Sequence, residues 1–180
     1  MRFAYADPPY LGCCKLYGHR HEEPWGCWDD IDTHVQLFGY LSTFDGWAYS
    51  LTSQSLAQVL GAVGNIAPLD GYRTAAWVKP FAAFKPNVRI AYTWEPVIFK
   101  PGRDSSKDGA PVGRDHLAEN ITMRKGLTGA KPERFCRWVA DLLGYIDGDE
   151  LVDVFPGTGI MGRTLSQLTF AAPADPQEAT

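Results

Sequence analysis

No run of about 18 apolar residues occurs in the 180-residue sequence, so no helix is expected to span a membrane. The opening MRFAYADPPY lacks the basic stretch followed by an apolar one that marks a secretory leader. Cysteine is scarce. The four cysteines, two of them adjacent as Cys13 and Cys14, make no spaced disulfide framework. A reduced, cytoplasmic protein is the expectation. Positive charge is also short. Seventeen Lys/Arg against 21 Asp/Glu leave a net charge of −4, which does not suit a free-standing basic nucleic-acid binder. No internal repeat is present.

What is there fits one globular domain. Apolar residues make up 45% and charged residues 21%, enough to build a core at this length. The charge is uneven. Residues 100–137 carry nine Lys/Arg against five Asp/Glu, which leaves −8 on the remainder. That segment reads either as a solvated loop or as a strip that contacts phosphates.

The chain opens with Phe3-Ala4-Tyr5-Ala6, a strand cut off by Asp7-Pro8-Pro9, because proline cannot donate to a ladder. A helix is expected over 31–44, with Asp29 or Asp30 as cap and Ile31, Val35, Phe38 and Leu41 inward. Strands are expected at 47–51, 73–79 and 91–99, with a Ser53-capped helix carrying Leu56, Val59, Leu60 and Val63 between the first two. Residues 100–130, rich in Gly, Asp, Ser and Lys, read as a mobile surface segment. Pro132 opens an amphipathic helix with Phe135, Trp138, Val139, Leu142 and Leu143 on its apolar face. Residues 151–155 form a strand, Pro156-Gly157-Thr158-Gly159 a tight turn, and 160–169 a helix. Residues 171–180 read as a disordered tail, which leaves one domain over 1–170. Alternating strands and helices imply an α/β fold with a mostly parallel sheet.

The chemistry concentrates where strands end, which is where open α/β sheets place ligands. Asp7-Pro8-Pro9-Tyr10 supplies a carboxylate, a carbonyl and an aromatic ring on a rigid turn. Those parts suit a flat base bearing an exocyclic amine. A strand ending in this motif resembles the catalytic motif of the S-adenosylmethionine-dependent amino-group DNA methyltransferases, which act on adenine N6 or cytosine N4. The resemblance implies that Asp7 and the Pro8 carbonyl accept hydrogen bonds from the target amine, with Pro9 holding the turn. It implies that Tyr10 stacks on the base.

Asp153-Val154-Phe155-Pro156-Gly157-Thr158-Gly159 resembles the same family's cofactor loop, which implies a cofactor site at Asp153, Phe155, Gly157 and Gly159. Lys131-Pro132 resembles the family's Lys-Pro element, which lines the same S-adenosylmethionine. Trp94-Glu95-Pro96-Val97-Ile98 is similar to a late strand of the catalytic half. The motif order is that of the permuted classes, with the catalytic half first. The implied fold is a Rossmann-like methyltransferase sheet, and the implied reaction is methylation of DNA, most often at adenine N6. An RNA or small-amine methyltransferase, and an inactive remnant that binds nucleic acid or a partner, are the other readings.

The family's sheet normally continues after the Gly-loop helix into two strands, the first ending in an acid that binds the ribose. Residues 170–180 offer neither. The strand at 151–155 is therefore expected at a sheet edge, covered by a second copy or a larger partner. Arg124, Lys125 and Arg134 are the expected DNA contacts. Cys13, Cys14, His19, His21 and Cys27 fit no standard zinc spacing, and no metal is assigned. Residues 11–28 are expected to close over the base, with Trp25 and Trp28 either stacking on it or packing the loop. Lys79 and Lys85, around Phe81 and Phe84, read as a solvated loop or a basic rim near the pocket.

Overall fold

A computed structural model of the chain describes residues 1–16, 26–64, 71–81, 88–103, 112–122 and 130–170. Six strands and four helices follow one another as β1 (Arg2–Ala6), α1 (Ile31–Leu41), β2 (Gly46–Ser50), α2 (Leu56–Gly64), β3 (Arg73–Val78), β4 (Trp94–Lys100), β5 (His116–Ala118), α3 (Glu133–Leu143), β6 (Glu150–Asp153) and α4 (Ile160–Phe170). The strands form one sheet in the order β5-β3-β4-β2-β1-β6. β1 runs parallel to β2 and β6, and β3 parallel to β5. β4 alone is antiparallel to its neighbours, β2 and β3. It is an interior strand, not an edge. No described helix is long and apolar enough to cross a membrane.

Around β1 and β2 the sheet is covered on both faces, which explains why these strands read as unbroken buried runs instead of alternating ones. One core packs α3 and α4 on Phe3, Tyr5, Trp77, Val97 and Phe99. The other packs α1 and α2 on Ala4, Trp47, Tyr49 and Ile98. Phe135 of α3 lies in the first core, with its ring centroid 4.9 Å from Trp77 and 6.1 Å from Tyr5. Complete burial of such a side chain stabilises the fold by about 1.5–3 kcal/mol.

α3 begins after Pro132, whose missing N–H costs nothing there. It ends at Gly144, in the left-handed region at φ +72°. At the start of β2, a Cβ on Gly46 would lie 2.5 Å from the Gly102 nitrogen, so only glycine permits this approach.

Four expectations need correction. α1 buries His34 and Leu37 with Thr33, Phe38 and Leu41, while Ile31 and Val35 are only partly buried. Its inward face is therefore rotated from the one the apolar residues suggest, because His34 is accommodated by bonds to the Trp28 carbonyl and the Tyr49 hydroxyl. α2 is entered through a Thr52–Ser55 hydroxyl pair, 2.9 Å apart, instead of a Ser53 cap. The polar 100–130 segment contributes a strand, β5, whose Leu117 is buried beside Trp77. Trp28 is fully buried, its ring 5.1 Å from Phe155 and 5.3 Å from His34. It is a core residue and does not face a base. Trp25, His19, His21, Phe84, Lys85 and the 171–180 tail lie outside the described residues.

Candidate active site

β1 and β6 are adjacent parallel strands, with the Val154 N–H donating to the Tyr5 carbonyl at 2.9 Å. From β1 the chain passes to β2 through α1 on one face of the sheet. It reaches β6 through α3 on the other. The crevice between their carboxyl ends is thus a topological switch point, where such sheets bind ligands. Asp7 follows one strand and Asp153 ends the other.

Asp7 sits at the end of a buried strand, and the buried prolines Pro8 and Pro9 turn the chain away. Its carboxylate meets the Lys131 ammonium at 3.1 Å. The same ammonium lies 3.0 Å from Glu95, which β4 supplies. Glu95 also pairs with Lys79, just past β3. Two carboxylates and two ammoniums therefore alternate across four segments of the chain. Tyr10 is bound into this quartet. Its hydroxyl lies 3.0 Å from Asp7, 3.0 Å from Glu95 and 2.7 Å from the Lys131 ammonium. Lys131 also stands over the rings of Tyr10, Trp77 and Phe135, at 5.2–5.5 Å from their centroids.

The two carboxylates are electrostatically unequal. Burial pushes the Asp7 pKa up, Lys131 opposes this, and the Glu95 charge pushes it further up. Burial acts on Glu95 in the same direction, but Lys131 and Lys79 together outweigh it and hold the pKa at about 2. Burial acts to lower the Lys131 pKa, but Asp7 and Glu95 raise it above the ordinary lysine value. The shared lysine therefore holds Glu95, which has a second lysine, below the ordinary carboxylate range, while Asp7 is raised above its ordinary value.

Across the crevice, Gly157 and Gly159 turn the chain with φ of +45° and +68°, backbone that other residues rarely adopt. The Arg163 guanidinium donates to the Thr158 carbonyl at 2.7 Å and steadies the turn. Phe155 packs on Trp28 beneath it. Asp153 keeps one carboxylate oxygen, Oδ1, buried with no hydrogen-bond partner among the described residues. Its pKa is raised to about 6 by burial, against the Phe155 backbone N–H and with a contribution from the Asp7 charge. Beside the Gly turn, a cavity of about 190 Å³ is lined by Lys131, Glu133, Thr158, Ile160 and Arg163.

The sheet has solved counterparts in M1.HpyAVI. The structure of the M1.HpyAVI–SAM complex superposes with a TM-score of 0.54 at 12% identity, over 93% of this chain and 77% of that one. A second M1.HpyAVI structure gives 0.54 at 11% identity, over 93% and 76%. This likeness shows the fold, a mixed α/β Rossmann-like sheet. No protein-family model and no curated protein sequence matches the chain.

Among the expected residues, Asp7, Tyr10 and Lys131 converge on one cluster, and Asp153, Phe155, Gly157 and Gly159 lie across the crevice from it. Lys131 commits its ammonium to the Asp7 carboxylate while also lining the cavity beside the Gly turn. Arg134 is exposed on α3 and pairs with Glu119 at 3.2 Å, while Arg124 and Lys125 lie outside the described residues. Sequence reasoning gave Glu95 no role and Lys79 only a place on a rim. A carboxylate set just before the buried run 96–99 was the available signal, because burial of an acid needs partners. No group of three or more His, Cys, Asp or Glu among the described residues could hold a metal ion.

Proposed function

We propose that the chain moves a methyl group from S-adenosylmethionine to the exocyclic amine of a DNA base, adenine N6 before cytosine N4. The observation that carries this reading is the placement of Asp7 and Asp153 at the carboxyl ends of adjacent parallel strands. The Asp7 charge acts on Asp153, whose Oδ1 is buried with no hydrogen-bond partner among the described residues.

The residues present fit the cofactor. Asp153 offers a carboxylate to a cationic group, and the turn at Gly157 and Gly159 leaves backbone open to close approach. Phe155, Lys131 and Pro132 would complete its surroundings. When bound, S-adenosylmethionine supplies an electrophilic methyl group on a sulfonium.

The protein's task is to make a poor nucleophile react. The lone pair of the amine is delocalised into the base ring. Hydrogen bonds from the amine to Asp7 and to the Pro8 carbonyl localise that lone pair and stabilise the positive charge that develops on nitrogen. Asp7 then takes the proton that the methylated nitrogen must lose. Glu95 does not compete for it, because its two lysines keep it ionised. The target atom is out of reach inside a duplex, so the base is flipped, and the Tyr10 ring offsets part of the lost stacking. Arg124, Lys125 and Arg134 are the proposed phosphate contacts.

Labelled S-adenosylmethionine and mixed DNA, followed by mass spectrometry of the nucleosides, test this reading. N6-methyladenine is the expected product. Asp7→Ala should keep the fold and cofactor binding but lose transfer by at least about 10²-fold, the cost of removing one preorganised group. An Asp7→Ala protein with full activity would overturn the assignment.

A further inference from the structure

Among the described residues, the outer part of the sheet at β3 and β5 is packed by helices on one face only. Ala75, Trp77 and Leu117 point into the α3 core. The other face carries Thr74, Ala76 and Val78 of β3, in register with His116 and Ala118 of β5 and with Trp94 of β4. Val78 and Trp94, paired across the strands, are 36% and 37% exposed. The exposure continues along the chain entering β4, where Ile90 is 78% and Tyr92 43% exposed. Residues 90, 92 and 94 thus offer large apolar or aromatic side chains at every second position. Together with Ser53, residues 88–94 line a cleft of about 460 Å³. Among the described residues, Arg89 is its only charged lining residue, and no carboxylate lines it. Gln54 steadies the Tyr92 ring by a 2.6 Å bond to its hydroxyl.

The cleft opens at the same end of the sheet as the site. Trp94 begins β4, and the next residue, Glu95, reaches Lys131 and Tyr10 from the opposite face. We infer that the cleft at Tyr92 and Trp94 is a stacking subsite for single-stranded nucleic acid, holding the base beside the target nucleotide while Arg89 meets its phosphate. The inference deepens the proposed function and rests on it. Exposed aromatics on an open sheet face, with basic side chains beside them, are how single strands are held without sequence readout. A phosphate-bearing ligand suits a cleft whose charge, among the described residues, is the single positive one of Arg89. A second, arginine-lined hollow of about 380 Å³, with Arg73, Arg103 and Arg114, is a poorer candidate. It lies at the opposite end of the sheet, Asp115 and Asp141 share its lining, and Arg103 is bound to Asp149.

The test is binding of the full chain to a short oligodeoxythymidine, single-stranded and as a duplex, followed by fluorescence anisotropy. Thymine has no exocyclic amine, so binding is read apart from methyl transfer. Trp94→Ala and Tyr92→Ala should each weaken single-strand binding by about 5- to 150-fold, the range for one base–aromatic stack. Trp94→Phe should keep most of the affinity, and duplex binding should change by less than about twofold. Both alanine variants leaving single-strand affinity unchanged would overturn the subsite. So would a loss of self-association in Trp94→Ala with no change in nucleic-acid binding, which would make the face a contact between copies. A chain that binds the strand through Trp94 but methylates no nucleic acid would refute the proposed reaction and leave the subsite standing. Melting curves of each variant separate these outcomes from misfolding.

Discussion

The Lys131 ammonium lies 3.1 Å from the Asp7 carboxylate and 3.0 Å from that of Glu95, which makes one cation the shared partner of both acids in the crevice. Glu95 has a second lysine, Lys79, and Asp7 has none. That difference decides which acid stays charged and which can accept a proton.

Removing Lys131 should therefore act first on Asp7. Lys131→Met takes the nearest cation from a buried carboxylate, so the Asp7 pKa rises further. If transfer needs ionised Asp7, the acid limb of kcat/KM must move to higher pH. Lys131→Arg should move it back. Breaking a buried pair from one side also costs about 3–5 kcal/mol of stability. A variant that is only less stable, with an unmoved acid limb, would show that Lys131 serves the fold alone. Glu95 predicts the opposite behaviour at low pH. Its pKa is held at about 2 against an ordinary 4.5, so the stability it contributes above pH 4.5 is lost as the pH falls toward 2.

Tyr10 should show two separable roles. Its ring suits stacking, but its hydroxyl is bonded to Asp7, Glu95 and Lys131. Tyr10→Phe should lower kcat several-fold, about 1 kcal/mol for a lost hydrogen bond, with little change in base affinity. Tyr10→Ala should in addition lose about 1–3 kcal/mol of target-base binding. Identical kinetics for the two variants would mean that the ring face is idle.

Asp153 should trade stability for ligand affinity. Raising its pKa from 3.8 to about 6 corresponds to about 3 kcal/mol, a cost of ionising it in the folded chain. With the folded pKa raised, that cost is absent below pH 3.8 and complete above about pH 6. Asp153→Asn should thus melt higher than the parent at pH 8 and close to it at pH 4. Its affinity for S-adenosylmethionine, measured by calorimetry, should fall. In the parent the affinity should rise with pH through about 6. A flat pH profile would remove Asp153 from the cofactor site.

The outer edge of β6 is unpaired among the described residues, and it carries Leu151 and Val152 between Glu150 and Asp153. Unpaired edges template pairing with another chain. We expect a second copy or a larger partner to cover it. Sedimentation at micromolar concentration should detect a dimer, and Val152→Pro should disperse it. A parent that stays monomeric and still binds S-adenosylmethionine tightly would show that no second chain is needed.

Some of this was decided locally, and local rules read it. Pro8 and Pro9 end β1 because neither can donate to a ladder, so a carboxylate and an aromatic ring necessarily follow a strand end. The Gly157 turn and the Pro132 start of α3 depend only on neighbouring backbone angles. Their order along the chain was enough to suggest both halves of a site. Other features arise only when distant segments meet. The inward face of α1 turns on His34 finding Trp28 and Tyr49, and β5 owes its place to Trp77. Above all, Asp7, Lys79, Glu95 and Lys131 come from four separate segments, and no spacing in the sequence links them. By itself the sequence determined which groups stand at the strand ends. Only the packing of β4 and α3 around β1 decided how two buried carboxylates share their cations, because burial and proximity, not residue type, set the charge each one keeps.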